Sequence, residues 1–298
     1  MIVAALDLGT NTTRLLVAAV EDGCVEELHR ETRITRLGEG VDARRRLLPV
    51  PIARVRNVLS DYRRTAESLG AERTLLVATS AVRDAENGEA FLGEIEWSYG
   101  FATRLLSGDE EADLTRRGVG ELGPATLLVD IGGGSTELVL DGFRTSLPLG
   151  SVRFNERHGD DVAASVEATR ALLPDLEPEG AVGVAATITS LAALDLGLNE
   201  YDRRRVHGHV LSRDGARAQL ERLAALSVEE RRRVPALDPE RAPVIVAGAA
   251  ILLGILDTYG LEAIRVSERD LLDGAALAAI DLPEPEEGAA PPGAYTCC

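Results

Sequence analysis

The residues best equipped for chemistry lie in one run, Asp130-Ile131-Gly132-Gly133-Gly134-Ser135-Thr136-Glu137. Glycine lets a backbone approach a ligand closely and take up positive φ. Successive N–H groups in such a turn can form a nest around phosphate oxygens. An aspartate closing a buried strand is placed to hold Mg2+ or to orient water. The bland reading of the same letters is a tight hairpin with a solvated Asp130. A second copy of the pattern, Asp7-Leu8-Gly9-Thr10-Asn11-Thr12, weighs against it. With an offset of 123, Asp7 aligns with Asp130, Gly9 with Gly132, Thr12 with Ser135, Thr13 with Thr136 and Leu15 with Leu138. Alone, the first copy could be an Asx-type turn; the duplication favours phosphate binding.

Three further clusters carry weaker signals. Thr79-Ser80-Ala81-Val82-Arg83-Asp84 follows a buried apolar run, where α/β proteins place ligand loops. Arg83 could grip phosphate bidentately, or simply pair with Asp84 or Glu86. Ser107-Gly108-Asp109-Glu110-Glu111-Ala112 sets carboxylates in a first helical turn, where they suit the helix dipole; spacing alone does not choose a catalytic one among Asp109, Glu110 and Glu111. His207-Gly208-His209 could suggest a metal pair, but no further ligands stand at metal spacing, so hydrogen-bonding histidines are expected. Runs of arginine at 44–46, 203–205 and 231–233 read as solvated faces, one of which could guide a polyanion.

These groups need elements to hold them. The chain begins with two β-rich runs around the first Asp-x-Gly turn. Ile52, Val55, Val58, Leu59, Tyr62 and Ala66 then mark one face of a helix over about 51–69. A buried strand at Arg73–Ala81, a helix near Glu89–Tyr99 and another strand from Phe101 follow. Ser107 with Glu110 is a capping box opening a helix that runs to about Gly120. Strands alternating with helices indicate an α/β architecture with a partly parallel sheet. The composition shifts at Gly120–Pro124, and the strand–turn–strand pattern then repeats. This predicts one domain over 1–123, a second over 124–282 and a disordered tail over 283–298, rich in Pro, Glu, Gly and Ala.

Composition removes whole classes of function. The 298 residues carry net charge −17, which argues against a general binder of nucleic acid or anionic membranes. No lysine occurs, so all 32 basic residues are arginine; Schiff-base, P-loop lysine and protein-kinase chemistry are excluded together. Aromatics are 3%, too few for base-stacking platforms. Three cysteines, Cys24, Cys297 and Cys298, make neither a disulfide framework nor a metal knuckle. The first ten residues do not resemble a signal peptide. The longest apolar stretch, Val244–Leu256, is 13 residues and reads as a buried core helix rather than a span of ~20. A cytoplasmic protein is expected.

The segments LDLGTNTTRLLV, VATSAVRDAEN, LLSGDEEADL, LLVDIGGGSTELV, YDRRRVHGHVLS and VIVAGAAILLG together resemble the exopolyphosphatase/guanosine pentaphosphate phosphohydrolase family, of the actin, sugar-kinase and heat-shock-chaperone superfamily. The resemblance covers residues 1 to about 280 and matches the short form without extra C-terminal helical domains. It implies two ribonuclease-H-like, actin-like ATPase domains with an interdomain cleft. It implies Glu111 as catalytic base, Asp130 and Glu137 as acids for catalysis and Mg2+, and phosphate contacts from Asp7, Thr10, Asn11, Arg83, Gly132, Gly133, Gly134 and Ser135. The implied activity is Mg2+-dependent release of terminal phosphate from inorganic polyphosphate, with short chains expected. The alternatives are hydrolysis of the 5′ γ-phosphate of pppGpp, a non-catalytic alarmone or polyphosphate sensor and, least of all, a kinase. Expected partners are the anionic substrate and at most a second copy of the chain as homodimer, with neither nucleic acid nor membrane. Two segments depart from the family: Val184-Ala185-Ala186-Thr187-Ile188-Thr189 stands where a Gly-rich loop is usual, and Asp270-Leu271-Leu272-Asp273-Gly274 lacks an arginine. The added methyl groups should hinder close backbone approach to phosphate or nucleotide, and the two departures weaken the expectation of nucleotide binding more than that of phosphoanhydride hydrolysis.

Overall fold

The structure, a computed structural model, describes residues 1–283. The tail expected over 283–298, with Cys297 and Cys298, lies beyond the described residues except for Pro283. The described residues divide into two compact units, Met1–Val119 together with 271–283, and Gly120–Asp270.

In the first unit, β1 (Ile2–Leu8), β2 (Thr12–Glu21), β3 (Cys24–Ile34), β4 (Arg73–Ala78) and β5 (Ala102–Leu105) form a sheet ordered β3-β2-β1-β4-β5. The pairs β1–β2 and β2–β3 are antiparallel, and β1–β4 and β4–β5 are parallel. Strand β1 is apolar almost throughout because it is covered on both faces. Alternation along it splits the core. Ala4, Leu6 and Leu8 meet Val55, Leu59 and Tyr62 of the helix Pro49–Ser68. Val3 and Ala5 meet Leu271, Leu272, Ala275 and Ala276 of the last helix, Leu271–Ala279.

That last helix overturns part of the expected division, which gave residues up to 282 to the second domain. Its apolar residues cover the face of the first sheet opposite the helix Pro49–Ser68, and it packs on the helix Gly108–Val119. Asp273, in the segment that departs from the family, accepts from Arg30 Nη2 at 2.9 Å on both carboxylate oxygens.

In the second unit, β6 (Thr126–Ile131), β7 (Thr136–Leu140), β8 (Phe143–Leu147), β9 (Gly180–Val184), β10 (Val210–Ser212) and β11 (Ala263–Val266) are ordered β10-β11-β9-β6-β7-β8. Read from β8, the order repeats that of the first unit. The antiparallel β6–β7–β8 ribbon and parallel β6–β9–β11 pairs match it as well, with β10 added antiparallel at the edge. Leu127, Val129 and Ile131 pack with Ile188, Leu191 and the buried helix Ile245–Thr258, the core helix foreseen in the apolar run. Among the described residues no helix is long and apolar enough to cross a membrane.

The close crossing of the helices Gly108–Val119 and Leu271–Ala279 depends on Gly274, where an added Cβ would lie 1.9 Å from the Leu114 carbonyl oxygen. Backbone cannot yield as a side chain can, so Gly274→Ala should cost about 1–3 kcal/mol in urea denaturation. Gly93→Ala, on the exposed face of the helix Gly88–Tyr99 with nothing within 4 Å, should instead gain about 0.5–1 kcal/mol. Equal midpoints for the two variants would contradict the packing described.

Candidate active site

The duplicated turns are built alike down to single bonds. Gly9 N–H donates to the Thr12 carbonyl at 2.9 Å, and Gly132 N–H donates to the Ser135 carbonyl at 2.9 Å. A Cβ at either glycine would sit 3.1 Å from that same carbonyl oxygen, so a side chain at either position would press on the turn.

The carbonyls of both turns are tied down on one side. In the first unit, Thr10 C=O accepts from Gly38 N–H at 2.8 Å, and Asn11 C=O accepts from Thr35 and Arg36 N–H at 3.0 and 2.9 Å. In the second, Gly132 C=O accepts from Ser151 N–H at 3.0 Å, and Gly133 C=O from Val152 N–H at 2.8 Å. Gly134 C=O accepts from Arg153 Nε at 2.7 Å. Among the described residues no peptide is cis. In a planar trans peptide the C=O and the following N–H point in opposite directions. The N–H groups of Asn11 and Thr12, and those of Gly133, Gly134 and Ser135, therefore turn away from the segments that hold the carbonyls. Consecutive amides presented in this way attract an anion. The Asn11 side chain adds to the first set: it is buried, and its Nδ2 has no hydrogen-bond partner. A buried amide donor left unsatisfied costs about 1–3 kcal/mol, which an anionic ligand would recover.

The strand acids differ between the copies. Asp7 stands opposite Arg14 and accepts from its Nε at 2.8 Å. The position matching Arg14 is Glu137, directly opposite Asp130. Paired strand residues share a face, so two carboxylates are juxtaposed, and Ser146 Oγ donates to Glu137 Oε1 at 2.7 Å. Among the described residues no group of three or more His, Cys, Asp and Glu side chains could hold a metal ion by itself. Mg2+ commonly takes only one or two protein carboxylates and completes its shell with water and substrate phosphates, and the Asp130–Glu137 pair fits that demand.

Of the three acids that spacing left open, the structure buries one. Asp109 and Glu110 are exposed and Glu111 is buried. Glu110 is committed to the helix start, accepting from Ser107 N–H at 2.8 Å while its own N–H donates to Ser107 Oγ at 3.2 Å. Those Ser107 bonds hold the Glu110 carboxyl below its ordinary range. Arg83 does not pair with Asp84 or Glu86. Its Nη1 donates to Glu111 Oε2 at 3.1 Å and to the Leu106 carbonyl at 2.7 Å, so two residues named separately from sequence are in contact.

The histidines are hydrogen-bonding groups: His207 Nδ1 accepts from Glu268 N–H at 3.1 Å, and His209 Nε2 lies 2.8 Å from Asp195 Oδ2. The sequence did not reveal that Glu268 gathers the Tyr201 hydroxyl and Arg203 Nε onto its carboxylate; burial pushes that carboxyl up. Nor did it reveal Gly38 and Gly150, each packed against one of the duplicated turns. A Cβ on Gly150 would lie 2.3 Å from the Gly133 carbonyl oxygen. Their only signal is that they are glycines just outside the motifs.

Both units are thus α/β domains built on one ribonuclease-H-like topology, each with outward-turned amides in the turn after its first strand. The model of the Ppx/GppA phosphatase family matches residues 16–281, and the chain belongs to that family. Exopolyphosphatase 2 of Mycobacterium tuberculosis is 39% identical over 92% of this chain and 97% of its own length. A guanosine-5′-triphosphate,3′-diphosphate pyrophosphatase of Vibrio atlanticus is 28% identical over 93% of this chain, which spans 59% of that protein. Among solved structures, the PPX-GPPA enzyme of Aquifex aeolicus superposes with a TM-score of 0.78 at 30% identity, covering 93% of this chain and 99% of its own.

Where the family resemblance led to an expected glycine loop, Ala185 sits at φ +66° at the start of the helix Ala185–Asp195. An L-residue pays roughly 1–2 kcal/mol for that conformation. Ala185→Gly should therefore raise stability by about 1 kcal/mol in denaturant unfolding; a loss of stability would show that the methyl group's packing outweighs its strain.

Proposed function

We propose that the chain is an exopolyphosphatase, hydrolysing the terminal phosphoanhydride of inorganic polyphosphate. The observation that carries this reading is the pair of turns whose carbonyls are anchored and whose amides face outward, a device for multiply charged phosphate. The relative named exopolyphosphatase, similar over nearly its whole length, supports the polyphosphate reading over pppGpp. The methyl groups of Ala185 and Ala186, in the first turn of the helix after β9, favour it too.

In the proposed reaction, Glu111 accepts a proton from water as the water oxygen attacks the terminal phosphorus. The bond from phosphorus to the bridging oxygen breaks, and the shortened chain departs with the electron pair. Glu111 is suited to this by burial and by an orientation fixed through Arg83. A substrate phosphate competes with Glu111 for the same guanidinium. As Arg83 turns toward the phosphate, Glu111 loses the charge that restrains its basicity. Asn11 and the outward amides of the first unit's turn bind phosphoryl oxygens with dipoles that need not reorganise. Asp130 and Glu137 would hold Mg2+, which when bound supplies positive charge against that developing on the bridging oxygen.

Phosphate release from polyphosphate, pppGpp and ATP, measured in parallel with and without Mg2+, tests this reading. Wild type should act on polyphosphate first and require the metal. Glu111→Gln should lower kcat by about 10²–10⁴-fold with substrate binding kept. Glu110→Gln should lose little, because glutamine also serves a capping box. Wild-type kcat in both variants would place the base elsewhere, preference for pppGpp would reassign the substrate, and tight binding without release would make the protein a sensor.

A further inference from the structure

The chain has three runs of three consecutive arginines against a net charge of −17, and the structure gives them different fates. Arg231 is wholly buried, its guanidinium bonded to both oxygens of Asp160 at 2.9 and 2.7 Å and to the Leu223 carbonyl at 2.7 Å. It is a tether inside the second unit rather than part of a solvated face. Arg203 donates from Nε to the Glu268 carboxylate at 2.8 Å and from Nη2 to the Glu268 carbonyl at 2.7 Å, while Arg204 and Arg205 are exposed. Arg44, Arg45 and Arg46 are exposed, and among the described residues none of their guanidiniums has an ion-pair partner.

The backbone beneath this third run is fixed at both ends to phosphate-binding loops. On one side, Arg45 N–H donates to the Val41 carbonyl at 2.8 Å, Val41 N–H to Gly38 at 3.0 Å, and Gly38 N–H to Thr10 in the first turn at 2.8 Å. On the other, the Arg45 carbonyl accepts from Glu86 N–H at 2.8 Å, three residues beyond Arg83. Leu47 and Asn87 exchange hydrogen bonds, backbone N–H to Oδ1 at 2.8 Å and Nδ2 to carbonyl at 3.1 Å. Arg45 itself is held at φ +53°, a conformation that favours glycine. The acidic groups nearby do not cancel the run. Asp42 and Asp84 have interactions of their own, Glu39 pairs with Arg54 at 3.0 Å, and Glu86 alone is exposed without one.

We propose that Arg44, Arg45 and Arg46 extend the first unit's phosphate turn into a track for the body of a long, linear polyanion. The substrate class this selects is long-chain inorganic polyphosphate over short or nucleoside-linked phosphate. The inference rests on the exopolyphosphatase reading and deepens it. Guanidinium groups match phosphate oxygens in a planar fork. Each phosphate of a long chain beyond those at Asn11 and Arg83 can meet one, whereas a short chain ends before the track. Attraction by exposed charges is screened by salt, so the preference must weaken as ionic strength rises.

The test is the kinetics of the full chain and of a triple variant, Arg44→Gln, Arg45→Asn and Arg46→Gln, on long-chain polyphosphate and on tripolyphosphate. Asparagine is chosen at 45 because it tolerates the left-handed backbone. At low salt the variant's KM for the long chain should rise about tenfold, its salt dependence should flatten, and kcat on both substrates should hold. An unchanged KM, or an equal rise for tripolyphosphate, overturns the track. If wild type hydrolyses neither substrate, the exopolyphosphatase reading fails, and calorimetric titration with long-chain polyphosphate still decides the track. Weaker binding by the variant than by wild type supports it; equal binding, or none by wild type, overturns it.

Discussion

Much of the site depends on where a few carbonyls are tied. Because a trans peptide presents its C=O and N–H on opposite sides, anchoring Thr10 and Asn11 to residues 35–38 directs the Asn11 and Thr12 amides outward. Anchoring Gly132, Gly133 and Gly134 to residues 151–153 does the same for Gly133, Gly134 and Ser135. Neither turn needs a basic side chain to become attractive to anions. This bears on a chain with no lysine and a large negative charge: the attraction is supplied by backbone dipoles held in place, with arginine added at chosen points.

The copies have kept that backbone and diverged in side chains. Where the first sheet sets Arg14 against Asp7, the second sets Glu137 against Asp130. The first strand acid is neutralised within the protein, and the second is joined by another acid in an arrangement suited to a cation. Arg83 is bonded to Glu111, so a phosphate that took this guanidinium would release the carboxylate, because one guanidinium cannot serve both fully.

Local signals in the sequence went far with the fold. Continuous apolar runs marked β1, β4 and β6, the helical spacing of Val55, Leu59 and Tyr62 marked the helix Pro49–Ser68, and Ser107 with Glu110 formed the capping box expected of them. Strand β3 was not distinguished, because it is an edge strand with scarcely a buried residue and so lacks alternation. The helix Leu271–Ala279 was not distinguished beyond its Asp270–Gly274 segment, and an apolar stretch does not say which sheet it covers. For the site, the duplicated Asp-x-Gly turns were legible as motifs, while the bonds that orient them come from Gly38, Ser151 and Arg153, which look ordinary in sequence. The choice of Glu111 came from resemblance at first; burial and the contact with Arg83 now distinguish it independently from its neighbours. Consecutive arginines read alike on paper and proved unlike, because burial of Arg231 is decided by Asp160, 71 positions away.

The most direct test of the central claim is amide hydrogen exchange, resolved by residue, with and without a non-hydrolysable polyphosphate analogue. Slowed exchange at Asn11 and Thr12 and at Gly133, Gly134 and Ser135, without comparable change at Gly9 and Gly132, whose N–H groups already have partners, is the expected result. Binding of the analogue with exchange unaltered at both turns would contradict the account.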